Sequence, residues 1–594
     1  MKNKKHFLKR SLLALSVVAP LLSLPSHSAS LPPVEAENGM VVSSQRFASQ
    51  AGIDILKLGG NAIDAAVAVG YAQAVVNPCC GNIGGGGFMT LHLANGNDHF
   101  IDFREMAPAA ASATMYQDKD GNLIPKASTM GWSAVGVPGT VKGMELALTR
   151  FGTGKLTRAQ IMAPAIKLAV EGFILTRGDT DIIDTSLSKM RGDKQAKHIF
   201  LRPDGSPLQP GDRLTQKALA VTLTSIAKNG PDAFYKGELP KAIEKASTAN
   251  GGYLTAMDFA NYTAKERRPI KCSYRGYDFI SAPPPSSGGT TLCQMLNILE
   301  GYDMSAMGYG SSDAIHYTVE AMRHAFVDRN SLLGDTDFVD VPIEKLLSKE
   351  YAAQIRQQID PINATPSSEL AAGVSPHEKP QTTHYSVIDK AGNAVSTTYT
   401  INGRFGGGVM APGAGFWLND EMDDFTSKIG SKNMFGLVQG KNNVIAPGKR
   451  PLSSMTPTIV TKNGKTFLVV GSPGGSLIIT ITLNTVMNII DYGMNLQEAV
   501  NAPRIHQQWL PDIVMYEKRG ISPDTLKILK SRGYKMLERG TWGAAEAIMV
   551  GLPDMPKDEE SSNVSDAGVS GKVRSGLYYG ANDARRPQGA AIGY

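Results

Sequence analysis

Cysteine is scarce in this chain, four in 594 residues, and no disulfide framework of the kind that staples small secreted domains can be built from so few. The adjacent pair Cys79-Cys80 has no second pair at ligand spacing, so it is no zinc signature. Structural cysteines or free thiols are the readings for this pair and for Cys272 and Cys293. No run of Lys and Arg makes a basic stripe, which argues against nucleic-acid binding. No apolar stretch is long enough for a comfortable membrane span: Leu12–Leu24 is too short, and Ser476–Tyr492 is interrupted by Thr and Asn and reads as a buried helix. Gly84–Gly87 lacks the Lys-Ser/Thr of a phosphate loop and reads as a tight backbone turn. Two Ser-x-x-Lys matches, Ser186–Lys189 and Ser225–Lys228, have no Lys-Thr-Gly companion and carry no function. Internal repeats are absent.

What is present starts with charge at the N-terminus. Lys2, Lys4, Lys5, Lys9 and Arg10 precede Leu12–Leu24, and Ser26-His27-Ser28-Ala29-Ser30 offers small residues for cleavage. Residues 1–28 therefore read as a secretory signal, with an uncleaved anchor as the alternative. That segment carries five of the six units of net positive charge, so the remainder is close to neutral. Composition beyond it is ordinary for a globular protein, and the length supports a large core. Hairpin signals recur at Thr90–Phe103 around Asn95-Gly96 and at Thr458–Gly471 around Asn463-Gly464. Asn61 is placed to cap an Ala-rich helix to about Val76, and Ser312 a helix in which Ile315, Val319, Met322 and Phe326 share one face. Pro553–Lys572, polar and acidic, reads as a surface insertion.

The most informative stretch is Thr382–Asn402. Tyr385, Val387, Val395 and Tyr399 fit a strand-turn-strand pattern around Ala391-Gly392-Asn393. Residues 361–381 before it, with four prolines and almost no apolar periodicity, look like an exposed linker. A linker giving way abruptly to a strand that opens Thr-Thr suggests a cut between Gln381 and Thr382. The new α-amine, with a pKa of roughly 7.7–8.0, is placed to take the proton of its own hydroxyl and make a nucleophile of it. The competing reading is a hairpin edge rich in threonine because threonine suits strands.

Further motifs are in order along the chain: Thr-Thr-His-Tyr-Ser-Val (382–387), Tyr-Thr-Ile-Asn (399–402), Asn-Asp-Glu-Met-Asp-Asp-Phe (419–425), Arg-Pro-Leu-Ser-Ser-Met-Thr-Pro-Thr (450–458) and Gly-Ser-Pro-Gly-Gly-Ser (471–476). Upstream lie Gly-Asn-Ile-Gly-Gly-Gly-Gly-Phe-Met (81–89), Asp-Phe-Arg-Glu-Met-Ala-Pro (102–108) and Pro-Pro-Pro-Ser-Ser-Gly-Gly (283–289). Together they resemble the γ-glutamyltranspeptidase family, in its bacterial exported branch, over essentially all the chain after the first thirty or so residues. The resemblance implies an α/β fold, one four-layer αββα sandwich of the N-terminal-nucleophile hydrolase type. It also implies two cleavage products that stay entwined: a large subunit, 29–381, and a small catalytic subunit, 382–594.

The same resemblance implies roles. Thr382 matches the nucleophile and Thr400 the threonine that supports it; Gly474 and Gly475 match paired oxyanion donors, where two successive amides turn towards one oxygen. Arg104 matches the arginine that binds the substrate α-carboxylate, a task that suits a guanidinium fork. Ser453 and Ser454 match hydroxyls that bond the same group. Asp424 matches the partner of the α-ammonium, with Asn402 and Glu421 its polar helpers; bacterial relatives often have Gln where this chain has Glu421. Residues 426–446 resemble a lid loop, with Phe435 where many relatives place a gating tyrosine, so the ring is kept and the hydroxyl lost. The expected activity is transfer of a γ-glutamyl group from glutathione or related amides to water or to amino acid and dipeptide amines, in the periplasm or beyond it, with no metal or cofactor. A glutaryl or cephalosporin acylase of the same fold is the nearest rival, and Asp424 argues against it because that substrate has no ammonium. A non-catalytic periplasmic binding protein is the rival of another class, opposed by the joint presence of Thr382 and the glycine pair.

Overall fold

Hydrophobic alternation and turn chemistry place the strands much as the sequence suggests, and long-range pairing arranges most of them into two large sheets. The computed structural model describes residues 31–370, 382–552 and 573–594. The expected signal segment, Gln381 with residues 371–380, and the patch 553–572 lie outside the described residues. Both sheets have seven strands and are antiparallel throughout. One runs in the order Val34–Ala36, Tyr578–Asn582, Glu546–Val550, Lys465–Val470, Thr458–Lys462, Tyr277–Ser281, Ile270–Tyr274. The other runs Ala590–Gly593, Gly39–Ser43, Thr383–Asp389, Ala394–Thr400, Gly86–His92, Asp98–Phe103, Lys265–Arg267.

Met40, Val42, Ile388, Ile459, Val469 and Ile548 fill the space between the sheets. Helices Arg46–Lys57 and Ala62–Val76 cover the outside of the second sheet, where they meet Tyr385, Val387, Val395 and Tyr399. Helices Gly288–Leu299 and Leu477–Ile490 cover the outside of the first. This is the expected αββα sandwich. The Thr383–Thr400 hairpin is flanked on one side by Gly39–Ser43 and on the other by Gly86–His92. The segment after residue 382 is thus hydrogen-bonded in the middle of a sheet whose other strands come largely from before it.

Local details follow sequence chemistry, with corrections. Asn61 caps Ala62–Val76 in a reciprocal capping box with Asp64. In the long helix Ser312–Leu332 the cap is Ser311, one residue earlier than expected, its hydroxyl accepting from Ala314 N at 3.1 Å. The buried helix Leu477–Ile490 tolerates its threonines because Thr482 and Thr485 donate to the carbonyls of Ile478 and Ile481. Gly84–Gly87 is not simply a turn, since Gly86 and Gly87 open a strand. A Cβ at Gly85 would lie 1.9 Å from the Thr400 carbonyl oxygen, so the glycines let two backbones close together. The stretch 361–370 is not free linker: Ser367–Leu370 is helical, and the buried Ser367 hydroxyl donates to Trp509 O at 2.7 Å. The cysteines are disulfide-bonded, Cys79 to Cys80 and Cys272 to Cys293, the second pair joining strand Ile270–Tyr274 to helix Gly288–Leu299. No helix among the described residues is long and apolar enough to cross a membrane.

Candidate active site

The site begins with hairpin register. Thr383 pairs with Tyr399 and His384 with Thr398, so one step further places Thr382 opposite Thr400, and their Oγ1 atoms are 3.5 Å apart. Side chains alternate across the sheet: Tyr385, Val387, Val395 and Tyr399 face the helices. The opposite face looks at the other sheet, where Ser386 donates to Glu546 O and Ser396 to Val470 O. Both threonines share the parity of that inner face. The Asn402 amide donates to Thr400 Oγ1 at 2.8 Å and so fixes the hydroxyl, from a left-handed backbone with φ 64° that Asn tolerates. Its side chain donates to Asp420 O at 3.0 Å and also contacts Met434 sulfur.

Arg104 follows the strand Asp98–Phe103 directly and is fully buried. Its Nη2 donates to Asp424 Oδ2 at 2.5 Å, its Nη1 to Glu421, and its Nε to Pro451 O at 3.1 Å. Glu105 lies 3.5 Å from Nη1. Arg104 and Asp424 were expected to receive the two charged groups of one amino acid. They stand beside each other, joined as an ion pair. Glu421, expected as a polar helper of Asp424, meets Asp424 and also pairs with Arg104. Burial lowers the Arg104 proton affinity, but Glu421, Asp424 and Glu105 outweigh it and raise its pKa. Burial raises all three carboxyls, Glu105 to about 7, with Arg104 opposing the rise in each.

Ser453 is held by the Pro-Pro-Pro-Ser-Ser-Gly-Gly motif. Ser453 N donates to Pro285 O, and Ser287 N donates back to Ser453 O, both at 2.8 Å. Gly474 and Gly475 stand at the N-terminal end of helix Leu477–Ile490, and their carbonyls accept from Leu477 N and Ile478 N. Amides there lie at the positive pole of the helix. Gly475 has φ +56°, and a Cβ on it would come within 2.5 Å of the Phe435 ring. Phe435 is buried, and its carbonyl accepts from Gln508 Nε2 at 3.3 Å, so the ring is fixed through its main chain without a hydroxyl. The loop carrying it also grips Asp424: Gln439 and Asn443 donate to Asp424 O, and Asn433 to Asp424 Oδ1.

One small cavity collects these groups. Thr382, Thr400, Asn402 and Gly475 line it beside Arg104, Glu421 and Asp424, with Ser453, Ser454 and Phe435 completing the walls. Gly474 is next in chain to Gly475 and outside the lining; Gln381 lies outside the described residues. Chemically the cavity joins two threonine hydroxyls and Gly475 to a small polar pocket holding adjacent opposite charges. No group of His, Cys, Asp and Glu able to hold a metal occurs among the described residues. Sequence reasoning missed Glu105 and Arg329. A signal for Arg329 was available: it continues the stripe Ile315, Val319, Met322, Phe326, where an arginine on a buried face demands polar partners.

Comparison with known proteins agrees with this geometry. The family model for gamma-glutamyltranspeptidase matches residues 48–591. A glutathione hydrolase proenzyme of Pseudomonas sp. (strain A14) is 54% identical over 595 residues, covering 100% of both chains. Another glutathione hydrolase proenzyme, from Escherichia coli (strain K12), is 49% identical over 95% of this chain and 93% of its own. Among solved structures, the cephalosporin acylase from Bacillus halodurans superimposes with a TM-score of 0.80 at 27% identity, covering 96% of this chain and 98% of its own.

Proposed function

This chain belongs to the γ-glutamyltranspeptidase family, and on that premise we propose that it is a self-processing enzyme that cleaves the γ-glutamyl amide of glutathione and related compounds. The observation that carries the reading is the shared cavity: Thr382 opposite Thr400, with Gly475 and the Arg104–Asp424 pair in the same walls. In maturation, Thr382 Oγ1 attacks the Gln381 carbonyl, and the Gln381–Thr382 C–N bond breaks, which frees the Thr382 amine and leaves Gln381 as an ester on Oγ1; water then opens that ester, releasing the Gln381 carboxylate and restoring the Thr382 hydroxyl. In turnover that amine takes the hydroxyl proton as Oγ1 attacks the γ-carbonyl, the amine leaving group departs, and a γ-glutamyl ester remains. Water or an acceptor amine then releases glutamate or a new γ-glutamyl amide. Arg104 with Ser453 and Ser454 receives the α-carboxylate; Asp424, with Asn402 and Glu421 near it, receives the ammonium. Gly474 and Gly475 donate to the oxyanion. Large and small subunits remain one heterodimer because the cut falls beside a strand paired on both edges. The N-terminal segment directs the precursor to the periplasm.

Gly475→Ala tests the oxyanion assignment. An alanine at φ +56° is strained, and its methyl collides with Phe435. We expect kcat to fall by on the order of 10²–10³, the loss typical of one oxyanion donor, with KM changing far less. A normal kcat would remove Gly475 from the mechanism. Phe435→Ala tests the lid. Opening this wall admits water and bulkier amines, so the ratio of hydrolysis to transfer should change across a panel of acceptors. Unchanged ratios would leave 426–446 a surface loop.

A further inference from the structure

We infer that Arg329 is a positioning residue that aims the hydroxyls of Ser453 and Ser454 at the substrate α-carboxylate and ties them to the lid; this rests on the γ-glutamyl reading above. Arg329 lies near the end of helix Ser312–Leu332, is buried, and lines the same cavity as Thr382. Unlike Arg104, it forms no ion pair among the described residues, and every hydrogen bond it donates goes to a neutral oxygen. Its Nη2 donates to Ser454 Oγ at 3.1 Å and its Nε to Ser287 Oγ at 3.2 Å. Its Nη1 donates to Gln439 Oε1 at 2.6 Å and to Asn330 Oδ1 at 3.0 Å.

A hydroxyl has one proton and two lone pairs, so an oxygen that accepts from behind can donate forward. Ser454 Oγ accepts from Arg329, and Ser454 lines the cavity. Ser453 Oγ accepts from Met455 N at 3.1 Å, and its carbonyl is held by the Ser287 hydroxyl that Arg329 contacts. Arg329 thus presets Ser454 directly and Ser453 through Ser287. Through Gln439, whose Nε2 donates to Asp424 O at 3.0 Å, it links the carboxylate end of the pocket to the ammonium end and to the lid loop. The charge also has a purpose. Arg104 is already neutralised by Glu421 and Asp424, leaving Arg329 as a cation whose counter-charge an incoming α-carboxylate would supply. Burial draws its pKa down to about 10, with Asp424 opposing and Arg104 reinforcing, so it stays protonated at neutral pH.

The test compares γ-glutamyl-p-nitroanilide with 4-aminobutyryl-p-nitroanilide, the same donor without its α-carboxylate, on the mature enzyme. Wild type should prefer the γ-glutamyl compound, and Arg329→Gln should cut that preference in kcat/KM by about 10- to 100-fold, mainly through KM, as expected when hydrogen bonds to a charged group are lost. In a double-mutant cycle, adding Ser454→Ala to Arg329→Gln should cost much less than Ser454→Ala alone, because one interaction is being removed twice. If Arg329→Gln fails to process, Arg329→Lys keeps the charge and loses the fork, and should show the same selective loss at smaller size. Equal losses on both substrates, or additive losses in the cycle, would reduce Arg329 to packing and overturn the proposal. A wild type with no preference for the carboxylate would instead sink the γ-glutamyl reading, whereas a wild-type preference left intact in Arg329→Gln sinks only the role of Arg329.

Discussion

Thr382→Ala should emerge from expression as one uncut chain with no measurable transfer or hydrolysis. Wild type should give two fragments, the smaller beginning Thr-Thr-His-Tyr on N-terminal sequencing. The expected loss is the largest in the molecule, on the order of 10⁶ in kcat, because the substitution removes the group that forms the covalent intermediate. It also removes the maturation nucleophile, so the amine that would serve as base is never released. The alanine should not unfold the protein: Thr382 ends an edge of the hairpin, and the register Thr383↔Tyr399 onward does not depend on its hydroxyl. Thr382→Ser, which keeps a hydroxyl, should still process. A wild-type chain that stays intact and yet turns over substrate would be fatal to self-cleavage, whatever the fate of the alanine variant.

Asp424→Ala should lower kcat/KM for γ-glutamyl-p-nitroanilide by about tenfold to a hundredfold, the factor expected for a lost hydrogen bond to a charged ammonium. It should harm glutaryl-p-nitroanilide far less, since that compound has the carboxylate and no ammonium. Arg104→Ala should weaken both. The structure adds a cost to that second variant. Arg104 is the shared cation of Glu421, Asp424 and Glu105, all buried, and removing it leaves acids that must take up protons, at about 3–5 kcal/mol for a broken buried pair. Fragment formation therefore serves as the folding control in each variant, because neither residue touches the Gln381–Thr382 bond in the proposed maturation. Parallel losses on both substrates in Asp424→Ala would make Asp424 structural. A wild type that favours the glutaryl compound would hand the assignment to the acylase reading.

Much of the candidate site was legible because its residues come in short motifs with local reasons to exist. The hairpin was readable from turn formers and period-two alternation, whereas the glycine pair was picked out by the family resemblance, its own residues reading equally as a plain turn. The Asp-Phe-Arg and Met-Asp-Asp-Phe stretches stood out through their order along the chain, which resembles that of the family. Three things were not legible. That Glu421 also pairs with Arg104, 317 residues away in sequence, has no local signal, because only folding brings them together. The motif Pro283–Gly289 carried no chemical reading until Pro285 and Ser287 were seen holding Ser453. Residues 367–370 looked like linker because a short helix anchored by single hydrogen bonds has no apolar period to detect.

By itself, then, the sequence determined the elements whose causes are local: capped helices, the hairpin, a threonine at the head of its first strand, and the chemical types of the groups around it. Tertiary structure alone decided which charges meet. In a buried pocket the cost of desolvation exceeds what any single side chain prefers, so each ionised group is assigned by its neighbours in space. That is why Arg104 is neutralised three ways, why Arg329 sits among neutral oxygens, and why two serines distant from both are turned towards the cavity.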